Sequence, residues 1–144
     1  MALKVELKPG ERIILGDCVV TNDRQRTRLT IEGQVPILRE KDIMRAQEAV
    51  TPAKRIYLAV QLMYTSGNVG AHQETYFALL RDFLEAAPSA WRYLENINNQ
   101  ILTGQLYKAL KEAGKLIGYE QELLKNAQRG KRLRKHLEAD RDPA

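Results

Sequence analysis

The chain has one cysteine, Cys18, and two histidines, His72 and His136. A lone thiol excludes an internal disulfide, and so few soft ligands leave no group for a zinc site. Cys18 sits in the apolar run Cys18-Val19-Val20 and is expected as a buried small hydrophobe. No apolar run approaches the roughly 20 residues that span a bilayer, and the N-terminal MALKVELKPG lacks the apolar core of a secretory signal. The expectation is a cytoplasmic protein with no membrane partner. Catalytic signatures are missing as well: there is no GxxxxGKS/T phosphate loop, no GxSxG elbow, no HExxH and no paired-cysteine motif. Glu74, Asp82 and Glu85 fall on one helix among polar neighbours, which is the pattern of a solvated face rather than of acid-base work. His72, near a helix start, reads as a surface or capping residue. These absences point away from an enzyme, a metal and a cofactor.

What is present is an ordinary soluble composition, with 44% hydrophobic and 28% charged residues in 144 residues. The net charge is +5 and is unevenly placed. Residues 1–50 carry nine Lys/Arg against eight Asp/Glu, residues 51–126 eight against seven, and residues 127–144 six against three. Leu3, Val5 and Leu7 alternate with Lys4, Glu6 and Lys8, the period of a strand with one wet face. Further short runs at Ile13-Leu15, Cys18-Val20, Leu29-Ile31 and Val35-Leu38 are separated by the turn chemistries PG, GD, NDRQR and EGQ. Five strands in that space predict a small antiparallel sheet.

The period then becomes helical. Thr51-Pro52 is a cap and first-turn pair, and Ile56, Ala59, Val60 and Met63 share one face of the helix it starts. Gly67-Asn68-Val69-Gly70 stops that helix. A second is expected from about His72 to Ala87, with Phe77, Leu80 and Leu84 inward. Pro88 ends it, Ser89 caps a third carrying Trp91, Leu94, Ile97 and Ile101, and Gly104 precedes a fourth with Leu106, Leu110, Ala113 and Ile117. The fold class is α+β: a β module over residues 1–48, a helical module over 49–126, and a basic tail over 127–144. That tail has too few apolar residues to offset the entropy of ordering and is expected to be frayed or disordered.

Two residue sets are candidates for binding. Lys4 and Lys8 project from the first strand, while Arg39 and Lys41 close the last. If those strands are neighbours, the four make one basic edge that attracts phosphate with a steep salt dependence, although charge on a wet strand face also serves plain solubility. The aromatic residues Tyr57, Tyr64, Tyr76, Tyr93, Tyr107, Tyr119 and Trp91 all fall in the helical module. They are either ordinary helix packing with wet hydroxyls or a partner-binding surface, for which Tyr57, Tyr64, Trp91 and Tyr93 are the chosen residues. The tail's Arg129, Lys131, Arg132, Arg134 and Lys135 read either as a solvated terminus or as a patch that steers RNA or an acidic partner.

Taken together, LKPGERIILGD, QRTRLTIEGQVPILREKDIM, TPAKRIYLAVQLMY and NINNQILTGQLYKALKEAGKLIGYE resemble the flagellum biosynthesis repressor family FlbT, over nearly everything from residue 2 to about 124. The resemblance implies a bacterial regulator acting after transcription, by association with the 5′ leader of flagellin mRNA, on its translation or decay. It implies repression in some members and support of flagellin production in others, so no sign is carried over. A FlaF-like partner regulator and a functional connection with flagellin are also implied. The rival reading is a protein-interaction module that binds flagellin or the FlaF-like partner and affects RNA indirectly.

The first 48 residues also resemble the carbon storage regulator CsrA, through Gly10, Glu11, Gly16, Asp17, Arg39 and Glu40. That resemblance implies a small five-stranded RNA-binding module and an intertwined homodimer whose first and last strands form the RNA edge. Arg39 matches the arginine ending the last strand of that family, and Lys8 matches the second of two basic residues ending its first strand. Leu7 stands where the first of those two is basic, so part of the positive edge is missing. Lysine at position 8 keeps charge but lacks the planar two-point fork of arginine.

Overall fold

The computed structural model of the chain describes residues 2–140. Five strands come first: β1 (Ala2–Leu7), β2 (Arg12–Leu15), β3 (Cys18–Thr21), β4 (Thr27–Glu32) and β5 (Ile37–Arg39). Two 3₁₀ turns, Glu40–Asp42 and Ala46–Glu48, lead into α1 (Pro52–Ser66) and α2 (Val69–Ala86). A third such turn, Pro88–Ala90, precedes α3 (Trp91–Leu102) and α4 (Leu106–Asp140). This is the expected α+β order, a small antiparallel β region followed by four helices.

Local chemistry sets the strand turns. Between β1 and β2, Pro9 fixes φ and Gly10 takes a φ of +75°. The amide of Glu11 donates to the carbonyl of Lys8 at 3.0 Å, which completes a type II turn. Between β2 and β3, Gly16 has a φ of +65° and Asp17 a negative one, the pattern of the tight type II′ hairpin whose twist suits its strands. Asn22 fastens the β1–β2 turn to the β3–β4 loop. Its side-chain amide donates to the carbonyls of Lys8 at 2.9 Å and Gln25 at 2.8 Å.

The strands fall into two sheets, β1–β4 and β3–β2–β5. Cross-strand partners Ile13↔Arg39, Ile14↔Leu38 and Leu15↔Ile37 give the second sheet two distinct faces. Ile13, Leu15, Val20 and Ile37 pack with Val5, Leu7, Leu29 and Ile31 of the β1–β4 pair. Ile14 and Leu38 turn the other way, into the helical core. The three-stranded sheet is therefore a middle layer. β2 and β5 are covered on both sides, which is why β2 reads as an unbroken apolar run while β1 and β4 alternate. Cys18 is exposed and not buried. It opens an outer strand of the middle sheet, paired only with Leu15 across the tight turn, and little covers it there.

In the helical layer Thr51 caps α1 as expected, and Ile56, Ala59, Val60 and Met63 are buried. α4 lies against both α1 and α3. One buried carboxylate joins two of these helices: Glu120 of α4 accepts the Ala53 amide at the start of α1 at 2.9 Å. A negative group there satisfies one orphan amide and meets the positive end of the helix dipole. α2 begins at Val69, not near His72, and its inward residues are Tyr76 and Phe83. Phe77 and Leu84, expected inside, are exposed. The helix carries two overlapping apolar stripes, and packing against α1 selects the one through Tyr76. Ser89 is no cap for α3. It lies in the preceding turn, with its hydroxyl bonded to that of Tyr119. α4 also runs past the expected end near Asn126 to Asp140, so residues 127–140 are helical rather than unstructured. The last part of the expected tail, 141–144, lies outside the described residues.

Burial pushes the hydroxyls of Tyr57 and Tyr76 well above the ordinary phenol range, and the charge of Asp42 adds to the effect at Tyr57. A raised folded-state value means that the unfolded chain releases its phenol protons first. Stability is then full below about pH 10 and falls as pH rises above it. The double variant Tyr57→Phe Tyr76→Phe is expected to flatten the decline of the urea midpoint above that pH. An unchanged slope contradicts this account of the two phenols.

Candidate nucleic-acid interface

The candidate site is built on the stretch Arg39-Glu40-Lys41-Asp42, which leaves β5 and makes the first 3₁₀ turn. Its acids are engaged by the fold. The Arg12 amide donates to Glu40 Oε2 at 2.7 Å, with the Arg12 guanidinium 3.6 Å from Oε1. Lys111 of α4 reaches Asp42 Oδ1 at 2.8 Å. The hydrogen bond to Asp42 holds the Lys111 ammonium above its ordinary range against the opposing cost of burial, with a smaller contribution from the Tyr107 phenol. Arg39 and Lys41 are exposed and have no ion pair among the described residues. Alternation along the chain has thus turned two acids inward and left two bases outward.

α1 holds this stretch in place through three side chains spaced i, i+4 and i+7. Tyr57 donates its hydroxyl to the carbonyl of Asp42. Gln61 bonds Met44 reciprocally, accepting its amide at 2.8 Å and donating to its carbonyl at 3.0 Å. Tyr64 accepts the Ile37 amide at 3.2 Å and donates to the Ile37 carbonyl at 3.0 Å. On one face of a helix these positions lie above one another. The backbone of residues 37–44 is therefore pinned at three points, with Arg39 and Lys41 between the pins.

A cleft of about 330 Å³ opens over this stretch, lined by Leu3, Ile37, Arg39, Lys41, Asp42, Tyr64 and Tyr107. Tyr107 is exposed, stands 5.8 Å from the Tyr64 ring between centroids, and has the Lys111 ammonium 5.1 Å from its own. Free cations beside an accessible aromatic face supply the two contacts a single nucleic-acid strand uses, phosphate attraction and base stacking.

The four basic residues chosen from sequence are not one edge within the chain. β1 bonds to β4 and β5 to β2, so the first and last strands are not hydrogen-bonded to each other. Arg39 and Lys41 share the cleft. Lys4 lies on the outer face of the β1–β4 pair, in a second shallow cleft with Glu6 and Arg28, and Lys8 opens the type II turn. Of the aromatic residues chosen as partner contacts, Tyr57 is buried and Tyr64 is occupied by Ile37, so both serve the chain's own backbone. Tyr93 stacks on Tyr119 with centroids 4.8 Å apart. Trp91 is about half exposed, at 51%, with the Arg92 guanidinium 5.4 Å from its ring. Sequence reasoning did not single out Tyr107 and Lys111 for RNA. Their signal was that they stand one helical turn apart, off the apolar stripe of α4. Among the described residues no three His, Cys, Asp or Glu side chains form a metal-binding group, and no helix is long and apolar enough to cross a membrane.

Comparison with known proteins gives a consistent answer. Residues 3–124 match the family described as "Flagellar protein FlbT". The chain is 60% identical over 124 residues to a protein of Bradyrhizobium diazoefficiens named "Probable flagellum biosynthesis repressor protein FlbT 1", with 85% of each chain covered. It is 51% identical to a probable flagellum biosynthesis repressor FlbT of Rhodopseudomonas palustris, over 86% of this chain and 98% of the other. The "Flagellum biosynthesis repressor protein FlbT" of Caulobacter vibrioides is 37% identical over 90% of this chain and 94% of its own. No solved structure matches the chain. With one family spanning both sheets, all four helices up to residue 124 and the cleft between them, the chain belongs to the flagellar protein FlbT family.

Proposed function

We propose that the protein is a cytoplasmic, non-enzymatic post-transcriptional regulator that docks on the 5′ leader of flagellin mRNA and controls its translation or decay. The observation that carries the proposal is the cleft in which unpaired Arg39 and Lys41 stand beside the accessible ring of Tyr107. Arginine supplies a planar donor fork, lysine a point charge, and tyrosine a stacking platform. The names of the relatives place them in control of flagellum biosynthesis, and a leader RNA is a target that a small basic protein without a catalytic constellation can regulate by occupancy alone.

The proposal includes a homodimer. Among the described residues β1 and β5 each pair with one strand, and the outer side of β5 is held at Ile37 by the Tyr64 hydroxyl. Pairing of β1 with the β5 of a second copy, in exchange for the Tyr64 bonds at Ile37, joins a two-stranded to a three-stranded sheet and sets Lys4 and Lys8 beside an Arg39. Exposed strand edges favour such pairing.

The rival reading, a protein-interaction module for flagellin or a FlaF-like regulator, has its own observation. Phe77, Leu84, Trp91 and Leu102 are exposed on the helical layer, and an apolar groove of about 400 Å³ beside Phe77 and Leu102 includes Met63, Val69 and Ile101. Apolar surface of this kind commonly marks a protein contact.

Titration of the purified protein against a flagellin-leader RNA and its scrambled counterpart tests the choice. Arg39→Ala with Lys41→Ala is expected to weaken leader binding about tenfold or more and to make the salt dependence shallower by about 1.4, the value for two single-strand phosphate contacts. Unchanged RNA binding in that variant, with regulation lost in Trp91→Ala or Phe77→Ser, selects the rival. Tyr64→Phe removes both bonds to Ile37 and keeps the ring. It is expected to cost about 1–3 kcal/mol of stability and to speed hydrogen exchange at the Ile37 amide, whereas full protection there contradicts the pinning of β5. Light scattering is expected to give twice the 16.4 kDa chain mass, and a monomer mass at high protein concentration removes the dimer.

A further inference from the structure

Beyond Glu120, the last buried residue of α4 among those described, the helix continues to Asp140, and its described side chains from 121 to 135 are half-buried or exposed. Between residues 125 and 135 it carries Lys125, Arg129, Lys131, Arg132, Arg134 and Lys135 and no carboxylate. The family match ends at residue 124, before most of this arm. Like charges at i, i+4 repel by about 0.2–0.5 kcal/mol per pair. Lys125 with Arg129 and Lys131 with Lys135 are two such pairs, and an anion laid along them relieves that repulsion.

The phase of the helix gives direction to this charge. At 100° per residue, 18 residues make five complete turns, so Lys125 lies on the same face as Tyr107. Arg129 and Arg132 follow at i+4 and i+7, continuing the face on which Tyr107 lines the cleft and Lys111 stands beside its ring. Gly114 and Gly118 fall between, on the same stripe; Gly114 is half-buried beside the Tyr57 ring, and Gly118 is exposed with open space around it. The nearest acid, Glu122, is 3.9 Å from the Lys125 ammonium and already paired with it. At a rise of about 1.5 Å per residue, Lys125 stands about 21 Å and Arg132 about 31 Å along the axis from Lys111.

We propose that this face of α4 is a phosphate track for single-stranded RNA, which runs from the Arg39–Lys41–Tyr107 cleft to Lys125, Arg129 and Arg132. It rests on the RNA-binding reading of that cleft and adds an extended footprint to it. The cleft selects sequence through Arg39 and the tyrosine platform, and the arm adds affinity without selectivity, as phosphate contacts do. A stacked strand at about 3.4 Å per nucleotide covers the distance in about 6–9 nucleotides. An anionic membrane is the weaker fit. Among the described residues the arm exposes Leu124 and Leu133 as its large apolar groups, too few to seat a helix at a lipid interface.

The test uses the full chain and the variant Lys125→Gln Arg129→Gln Arg132→Gln, which keeps helix-forming residues. Both are titrated with leader fragments of about 5 and about 20 nucleotides at several salt concentrations. The expected result is a loss of about tenfold for the long fragment, a salt slope shallower by about 2, and unchanged binding of the short one. Discrimination between the leader and its scrambled counterpart stays as in the unmodified chain. Equal affinities and slopes for the two proteins overturn the track and leave the cleft standing, and the same holds if the arm instead binds phosphatidylserine vesicles. Equal losses on the short and long fragments also overturn it, because the effect then does not grow with footprint. If the unmodified chain binds neither fragment, the cleft reading fails and the track fails with it.

Discussion

The candidate cleft in this fold hangs on the row of hydrogen bonds that α1 makes to the backbone of residues 37–44. Tyr57, Gln61 and Tyr64 bond Asp42, Met44 and Ile37 in turn. β5 is three residues long and pairs on one side only. A strand that short holds its register weakly through its own ladder, so side chains from the helical layer supply the missing constraint. The same bonds satisfy backbone groups that would otherwise be covered without partners, and they place two cations at a mouth between layers.

The electrostatic arrangement follows from this attachment. In Arg39-Glu40-Lys41-Asp42 the formal charges cancel, and a count along the sequence finds no basic patch. Folding breaks the symmetry. Glu40 is drawn to Arg12 and Asp42 to Lys111, so each acid is neutralised by a cation from a remote element. The positive potential at the cleft is a product of tertiary structure, which decides which half of a neutral tetrapeptide faces solvent.

Much of the architecture was legible in the chain. Alternation at Leu3, Val5 and Leu7 located β1, Pro9-Gly10 and Gly16-Asp17 located the turns, and Thr51-Pro52 located the start of α1 to the residue. The failures share a cause, in that a local pattern does not say which of two surfaces a neighbour will cover. α2 offers a stripe through Phe77 and another through Tyr76, and only packing against α1 chooses between them. Tyrosine composition suggested hydroxyls directed to water, whereas Tyr57, Tyr64 and Tyr76 bond Asp42, Ile37 and Asn98. The arm was misread for a different reason. A low count of apolar residues reports on tertiary packing, while lysine, arginine, leucine and alanine favour local helix regardless of it. At the candidate site, Arg39 and Lys41 were found from sequence. Tyr107 and Lys111 arrive from 66 to 72 residues further along, a juxtaposition no local pattern encodes.

The middle sheet has a consequence for how the molecule comes apart. Ile13 and Ile14 are consecutive residues, yet one belongs to the core shared with β1–β4 and the other to the core shared with the helices. Loss of either core strips one face from β2 and β5 and leaves the other resting on a sheet with nothing behind it. The strand and helical halves, distinct in the sequence, therefore share one cooperative unit of unfolding, with β2 and β5 as the common wall.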